Sequence, residues 1–132
     1  SKVIDGTFFV KSFLQTQLLG RCLMDSVLYL DGKVIVAIVP LELKKQFGAV
    51  SSDFDGVIDN LRVTRGVEVA ILMTEEEEKK FKVSMRSNHE VNVSVIAQSF
   101  GGGGHVKAAG CTLQGSSDEI LKKLLAAVAE QL

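Results

Sequence analysis

Val91-Asn-Val-Ser-Val-Ile-Ala-Gln-Ser-Phe-Gly-Gly-Gly-Gly-His-Val-Lys-Ala-Ala-Gly-Cys-Thr112 is the stretch on which the reading of this 132-residue chain turns. Its first ten residues carry two periods at once. Val91, Val93 and Val95 alternate as in a strand, whereas Val93, Ile96, Ala97 and Phe100 follow the i, i+3, i+4, i+7 spacing of a helix face. Asn92 is a good N-cap, and the helical period carries the apolar stripe through Phe100, so a helix is predicted. Four glycines follow, Gly101 to Gly104, and then His105, one of two histidines in the chain. Consecutive glycines cost chain entropy and add no packing; they offer positive φ angles and a bare backbone that another molecule can approach. One glycine after a helix is ordinary. Four, followed by the compact Ala108-Ala-Gly110, point to a binding loop. Ala109 to Leu113 then reads as a short strand.

Outward from this stretch the pattern continues. Ser116-Ser-Asp-Glu119 is a capping box that opens a last helix with Ile120, Leu121, Leu124, Leu125 and Val128 inward. Upstream, Val67, Val69, Ile71 and Met73 alternate, as do Phe81, Val83 and Met85, which predicts a β-hairpin. Glu75 to Glu78 between them read as a solvated acidic turn without a function of its own. Further upstream, Asp31-Gly32 between Val27–Leu30 and Val34–Val39 is a hairpin signal. The six apolar residues Val34–Val39 predict a central strand covered on both faces. A first amphipathic helix is predicted over 7–23, with Phe9 on its apolar face and Asp5 or Thr7 as cap. A second helix runs from Pro40 to Gly48. Ser51 to Gly56 reads as a polar surface connection in which Ser52 caps the next segment, and Val57, Ile58 and Leu61 mark a third short helix. The order predicts an α/β fold: a mixed, roughly five-stranded sheet with flanking helices, one domain over 1–132.

Composition excludes several classes. Hydrophobic residues make up 46% and charged residues 23%, with a formal net charge of −1. That is ordinary globular composition with no global basic footprint for gripping a long duplex. No run approaches the ~18 apolar residues of a membrane span. Cys22 and Cys111 stand far apart without metal-ligand spacing, as expected of two reduced thiols in a cytoplasmic protein. The chain opens on Ser1, as expected of a processed chain or an excised piece.

The glycine run is not a standard phosphate loop, because no Lys-Ser or Lys-Thr follows its last glycine. It also follows a helix C-terminus, whose dipole opposes an anion. Positive charge must therefore come from side chains. Arg86 is the best donor: it ends the strand from Phe81 on the face opposite Phe81, Val83 and Met85, alongside Lys82 and Ser84, with Ser87 and Asn88 next in sequence. Its planar fork suits phosphate. His105, hinged on the glycines, is placed to contact a ligand, while His89 beside Glu90 reads as a surface residue. Asp25, Asp31, Asp53, Asp55 and Asp59 are scattered and make no two-metal set. There is no nucleophile with an adjacent base, so no catalytic residue and no metal ligand is assigned within the chain.

Gly102-Gly-Gly-His-Val-Lys-Ala-Ala-Gly110 resembles the Gly-Gly-Gly-His-x-x-Ala-Ala-Gly signature of the DHH-associated domain, the C-terminal part of DHH-family phosphoesterases. Val83-Ser-Met-Arg-Ser87 and Val91-Asn-Val-Ser-Val-Ile-Ala97 precede it at the family's spacing. Asp59-Asn-Leu-Arg-Val-Thr-Arg-Gly-Val-Glu-Val-Ala-Ile-Leu72 is similar to the oligoribonuclease and phosphoadenosine-phosphatase branch. The resemblance implies a substrate-binding domain that closes over a cleft. Arg86 and Ser87 would then contact phosphate or nucleotide, Gly102, Gly103 and Gly104 would lie against ligand, and His105 would approach the scissile phosphate. It further implies an N-terminal DHH domain that binds Mn2+ and does not correspond to anything in this chain, so the isolated domain is expected to be inactive. Short oligoribonucleotides, 3′-phosphoadenosine 5′-phosphate (PAP) or cyclic dinucleotides are the implied substrates. The protein's own DHH domain is the implied partner, with a homodimer of the full-length protein allowed and no membrane. A stand-alone tRNA-binding module is the alternative, since a related domain ends alanyl-tRNA synthetases.

Overall fold

A computed structural model describes residues 10–132. Helix α1 (Phe13–Asp25) starts at Ser12, whose Oγ accepts from Gln15 N at 3.1 Å while Gln15 Oε1 accepts from Ser12 N at 3.0 Å. This reciprocal box satisfies two N-terminal donors and sets the helix start. The alternative caps Asp5 and Thr7, and Phe9, lie outside the described residues. Strands β1 (Val27–Tyr29) and β2 (Val34–Val39) form the expected hairpin, its turn carried by positive φ at Leu30, Asp31 and Gly32. Helix α2 (Leu41–Phe47) follows Pro40 and stops at Gly48, whose φ of 61° is the left-handed C-cap conformation.

The 51–56 segment departs from expectation. A 3-10 turn covers Ser51–Phe54 and buries Phe54 to 1% exposure, so the connection is part of the core. Ser52 does not cap the third helix: α3 (Val57–Arg62) begins after Gly56 at φ 88° with no side-chain cap. Strand β3 (Val69–Glu77) runs parallel to β2 and antiparallel to β4 (Lys80–Ser87). The acidic run is largely inside β3. Glu75 is half-buried and accepts from Leu41 N and Lys79 N, both at 2.8 Å, so one of the four glutamates pins α2 and the hairpin. Helix α4 (Val93–Ser99) is capped by the Asn92 side chain, which resolves the ambiguous period in favour of the helix. The glycine run then contributes an unpredicted short strand, β5 (Gly103–His105), antiparallel to β6 (Ala108–Gln114). Helix α5 (Ser117–Ala129) opens on the predicted capping box.

The sheet order is β1-β2-β3-β4-β6-β5, six strands in one mixed sheet. One face packs under α4 and α5, through Val69, Ile71, Met73, Val83, Met85, Ile96 and Leu124. The other packs under α1, α2 and α3, through Leu18, Ala37, Phe54, Leu61 and Leu72. This second core is built on β2 and β3 and does not include β4, β6 or β5. Each fully buried large side chain contributes about 1.5–3 kcal/mol, so both layers are required for the fold. Among the described residues no helix is long and apolar enough to cross a membrane. Cys22 and Cys111 are free and buried. Burial, with the nearby Asp25 carboxylate, pushes the Cys22 thiol up to about 11, and burial raises Cys111 as well. Neither is a thiolate nucleophile at neutral pH.

Glu68 ties the β3 start to the segment before α4. Oε2 accepts from the backbone N–H of His89, Glu90 and Val91 at 3.2, 2.8 and 2.9 Å, and the exposed His89 ring sits 3.1 Å from Oε1. Burial alone would raise this carboxyl, but these hydrogen bonds together hold it below the usual carboxylate range. A carboxyl depressed on folding stabilises above its unfolded value, and that contribution disappears as pH falls through the folded value. Glu68→Gln is therefore expected to cost about 1–2 kcal/mol at pH 7, the worth of charged hydrogen bonds partly replaced by an amide. In urea denaturation the difference from the native chain should be smaller in acid than at pH 7, shrinking as pH falls through the depressed folded value of Glu68. An equal difference at both pH values would assign the loss to packing instead.

Candidate functional site

Residues paired across adjacent strands share a face of the sheet. Ala70, Arg86, Ala108 and His105 therefore form one row across β3, β4, β6 and β5. Leu72, Ser84, Gly110 and Gly103 form the next, and Thr74, Lys82 and Thr112 a third. In each row the β3 residue is buried, whereas Lys82, Thr112, Gly103 and His105 are exposed. The result is a groove with β4, β6 and β5 as floor and α3 as one wall.

Three adjoining hollows make up this groove. One of about 200 Å³ lies between the floor residues Lys82, Ser84 and Arg86 and the wall residues Asp55, Gly56 and Ile58. A second, about 420 Å³, extends over Lys82, Ser84, Gly110 and Thr112 to Gly101 and Gly102. The third, about 370 Å³, joins Arg86 to Asp59, Arg62, Asn88 and Lys107. Each is of the size a small ligand group fills. A further hollow of about 300 Å³ between α1 and α3 is lined by Lys11, Asp53, Asp55 and Asp59, the last two also bordering the groove.

Arg86 is half-buried, and its Nη1 donates to Met85 O at 3.2 Å. Its Nε lies 3.9 Å from Asp59 Oδ1, and Arg62 Nε lies 3.5 Å from the same oxygen. A single carboxylate oxygen thus sits between two guanidinium groups. Asn88 positions the second of them: its Nδ2 donates to Arg62 O and Val67 O, both at 2.8 Å, and its Oδ1 accepts from Arg62 Nη1 at 3.3 Å. Arg62, Lys107 and Thr112 were not singled out from the sequence. They lie 24 residues before and 21 and 26 residues after Arg86, and strand order alone brings them to it.

His105 is exposed in the same row as Arg86, two strand spacings or about 10 Å away. Ser87 also lines the Arg86 hollow, although it is largely buried. It faces the opposite side of the sheet at 3% exposure, and its Oγ donates to Val106 O at 3.5 Å. Its backbone N–H also donates to Lys107 O at 3.0 Å, so Ser87 supports the β5–β6 turn. The glycines divide as well. A Cβ on Gly102 would collide with Gly110 O and lie 2.7 Å from Cys111 Cβ, and one on Gly104 would lie 2.6 Å from Ala108 O. The close approach of β5 to β6 therefore requires these two glycines. Gly103 has ordinary φ and nothing within 4 Å of its missing Cβ, so the fold itself places no demand on it.

The DHHA1 domain model matches residues 31–132. Over 117 residues the chain is 33% identical to the bifunctional oligoribonuclease and PAP phosphatase NrnA of Thermus thermophilus, covering 88% of this chain and 34% of that protein. It thus spans about a third of the length of that curated relative. Among solved structures, an exopolyphosphatase-related protein from Bacteroides fragilis superposes with a TM-score of 0.84 at 24% identity, over 92% of this chain and 36% of the other. The pGpG-specific phosphodiesterase PggH from Vibrio cholerae does so with a TM-score of 0.66 at 12% identity, over 90% and 40%.

Proposed function

Because this chain belongs to the DHHA1 domain family, we propose that it is the substrate-binding domain of a DHH-family phosphoesterase acting on short oligoribonucleotides or phosphorylated nucleotides. The observation that carries the reading is the open groove whose floor holds Arg86, with Arg62 across from it and one Asp59 oxygen between the two. An oxygen anion already lies there, and a ligand phosphate would take its place against both forks. The names of the relatives support the same class, being a phosphatase of PAP, an oligoribonuclease and a phosphodiesterase of pGpG.

In this reading Arg86 binds phosphate, assisted by Arg62. Gly103 leaves the floor low enough for a sugar or base to lie on the sheet. His105, at the outer end of the row, faces the reacting phosphate once the DHH domain closes over the groove. Manganese, where the family uses it, supplies Lewis-acid activation of water. Among the described residues no group of three His, Cys, Asp or Glu side chains is arranged to hold a metal ion, so these residues do not fit that ion. Hydrolysis belongs to the DHH partner domain, and recognition to this one. The reading places the protein in the cytoplasm.

Calorimetric titration of the chain tests this. Binding of adenosine 3′,5′-bisphosphate and of a diribonucleotide, in preference to tRNA, is the expected result. Tight tRNA binding without binding of either small ligand would overturn it in favour of a tRNA-binding module.

A further inference from the structure

Lys82 and Arg86 project from the same face of β4, four residues apart, which at the rise of a strand is about 13 Å between their Cα atoms. Uncharged Ser84 stands between them on that face. The two cations share the middle hollow, and each also lines a further one at its own end, Arg86 toward Arg62 and Lys82 toward Thr112 and Gly102.

Several cations have partners in the fold, and Lys82 is among the described ones that do not. Arg21 pairs with Asp25, Lys80 with Glu77, and Arg62 and Arg86 with Asp59, while Lys44 donates to Ser51 and to Glu75 O. Lys82 is exposed and forms no hydrogen bond or ion pair with the described residues. Lysines on sheets commonly protect an edge strand from pairing. That explanation fails here, because β4 is paired on both sides, by β3 and β6. The Lys82 hollow also contains the Ser84 and Thr112 hydroxyls and one carboxylate, Glu76. A lone ammonium beside a carboxylate favours a singly charged internucleotide diester over a doubly charged terminal phosphate.

We infer that Lys82 forms a second phosphate subsite, which engages an internucleotide phosphate of an oligonucleotide whose other phosphate is held by Arg86. The inference deepens the function proposed above and rests on it. A mononucleotide fills the Arg86 end alone, and a chain of three nucleotides fills both. Lys82 is thus a determinant of substrate length.

The test compares adenosine 3′,5′-bisphosphate with a 5′-phosphorylated triadenylate, on the native chain and on Lys82→Gln, with Arg86→Ala alongside. Lys82→Gln is expected to weaken the triadenylate about tenfold, as for loss of one charged hydrogen bond, and to leave the bisphosphate within about twofold. The slope of log affinity against log salt for the triadenylate should become shallower by about 0.7, one phosphate contact on a single strand. Arg86→Ala should weaken both ligands. If the native chain binds both and Lys82→Gln leaves both unchanged, or weakens both alike, the second subsite is wrong and the phosphate-binding reading stands. If the native chain binds neither, the proposed function itself fails.

Discussion

Arg86→Ala is expected to weaken binding of a nucleotide phosphate by about 1.5–3 kcal/mol, the loss of charge-assisted hydrogen bonds, which is roughly ten- to more than a hundredfold in affinity. The fold should not suffer. The Arg86 pair with Asp59 is long, at 3.9 Å, and involves a largely exposed carboxylate, so it adds little to stability. Its aliphatic stem covers the edge of the groove and is not part of either core. Titration calorimetry alongside thermal melting separates the two effects. Arg86→Lys keeps the charge and loses the planar fork, so it should recover only part of the affinity. Unchanged affinity in Arg86→Ala would remove Arg86 from the site.

The second large effect separates neighbouring glycines. Gly102→Ala is expected to destabilise the chain by about 1–3 kcal/mol or more, the range of overpacking, because its new Cβ meets the backbone of Gly110 and Cys111. Neither neighbour is the free end of a flexible side chain, so β5 has to move away from β6, and His105 moves with it. Gly103→Ala should do the reverse. With ordinary φ and open space it is expected to stabilise slightly, by about 0.4–1 kcal/mol, through the unfolded chain. Its methyl group would nevertheless stand on the groove floor beside Gly110 and lower nucleotide affinity. Urea denaturation and titration of the two variants give opposite signatures if this division is right. Destabilisation by Gly103→Ala would mean that the whole run serves the fold.

The two glycines also show how far local pattern reaches. The run reads as bare backbone that something else approaches closely. For Gly102 and Gly104 that something is β6, and this is evident only once β6 is known to fold back alongside. Ser87 shows the same limit. The alternation Phe81, Val83, Met85 puts Ser87 on the buried face, yet its neighbour Arg86 faces the groove, and the resemblance carries both to the ligand. Phe54 was hidden in a polar segment because a single aromatic has no period.

By itself the sequence determined most of the elements and several of their limits: the Asn92 cap, the Ser116 box, the Asp31-Gly32 turn, and the face on which Arg86 stands. These rest on interactions within a few residues, which composition and spacing report directly. The tertiary structure decided which face is left open and what meets there. Helices α1, α2 and α3 cover β2 and β3 while β4, β6 and β5 lie open on that face beside them, and this brings Asp59 and Arg62 to Arg86 and sets Lys82 in the same floor. Such juxtapositions depend on strand order, and strand order comes from burying two apolar layers at once.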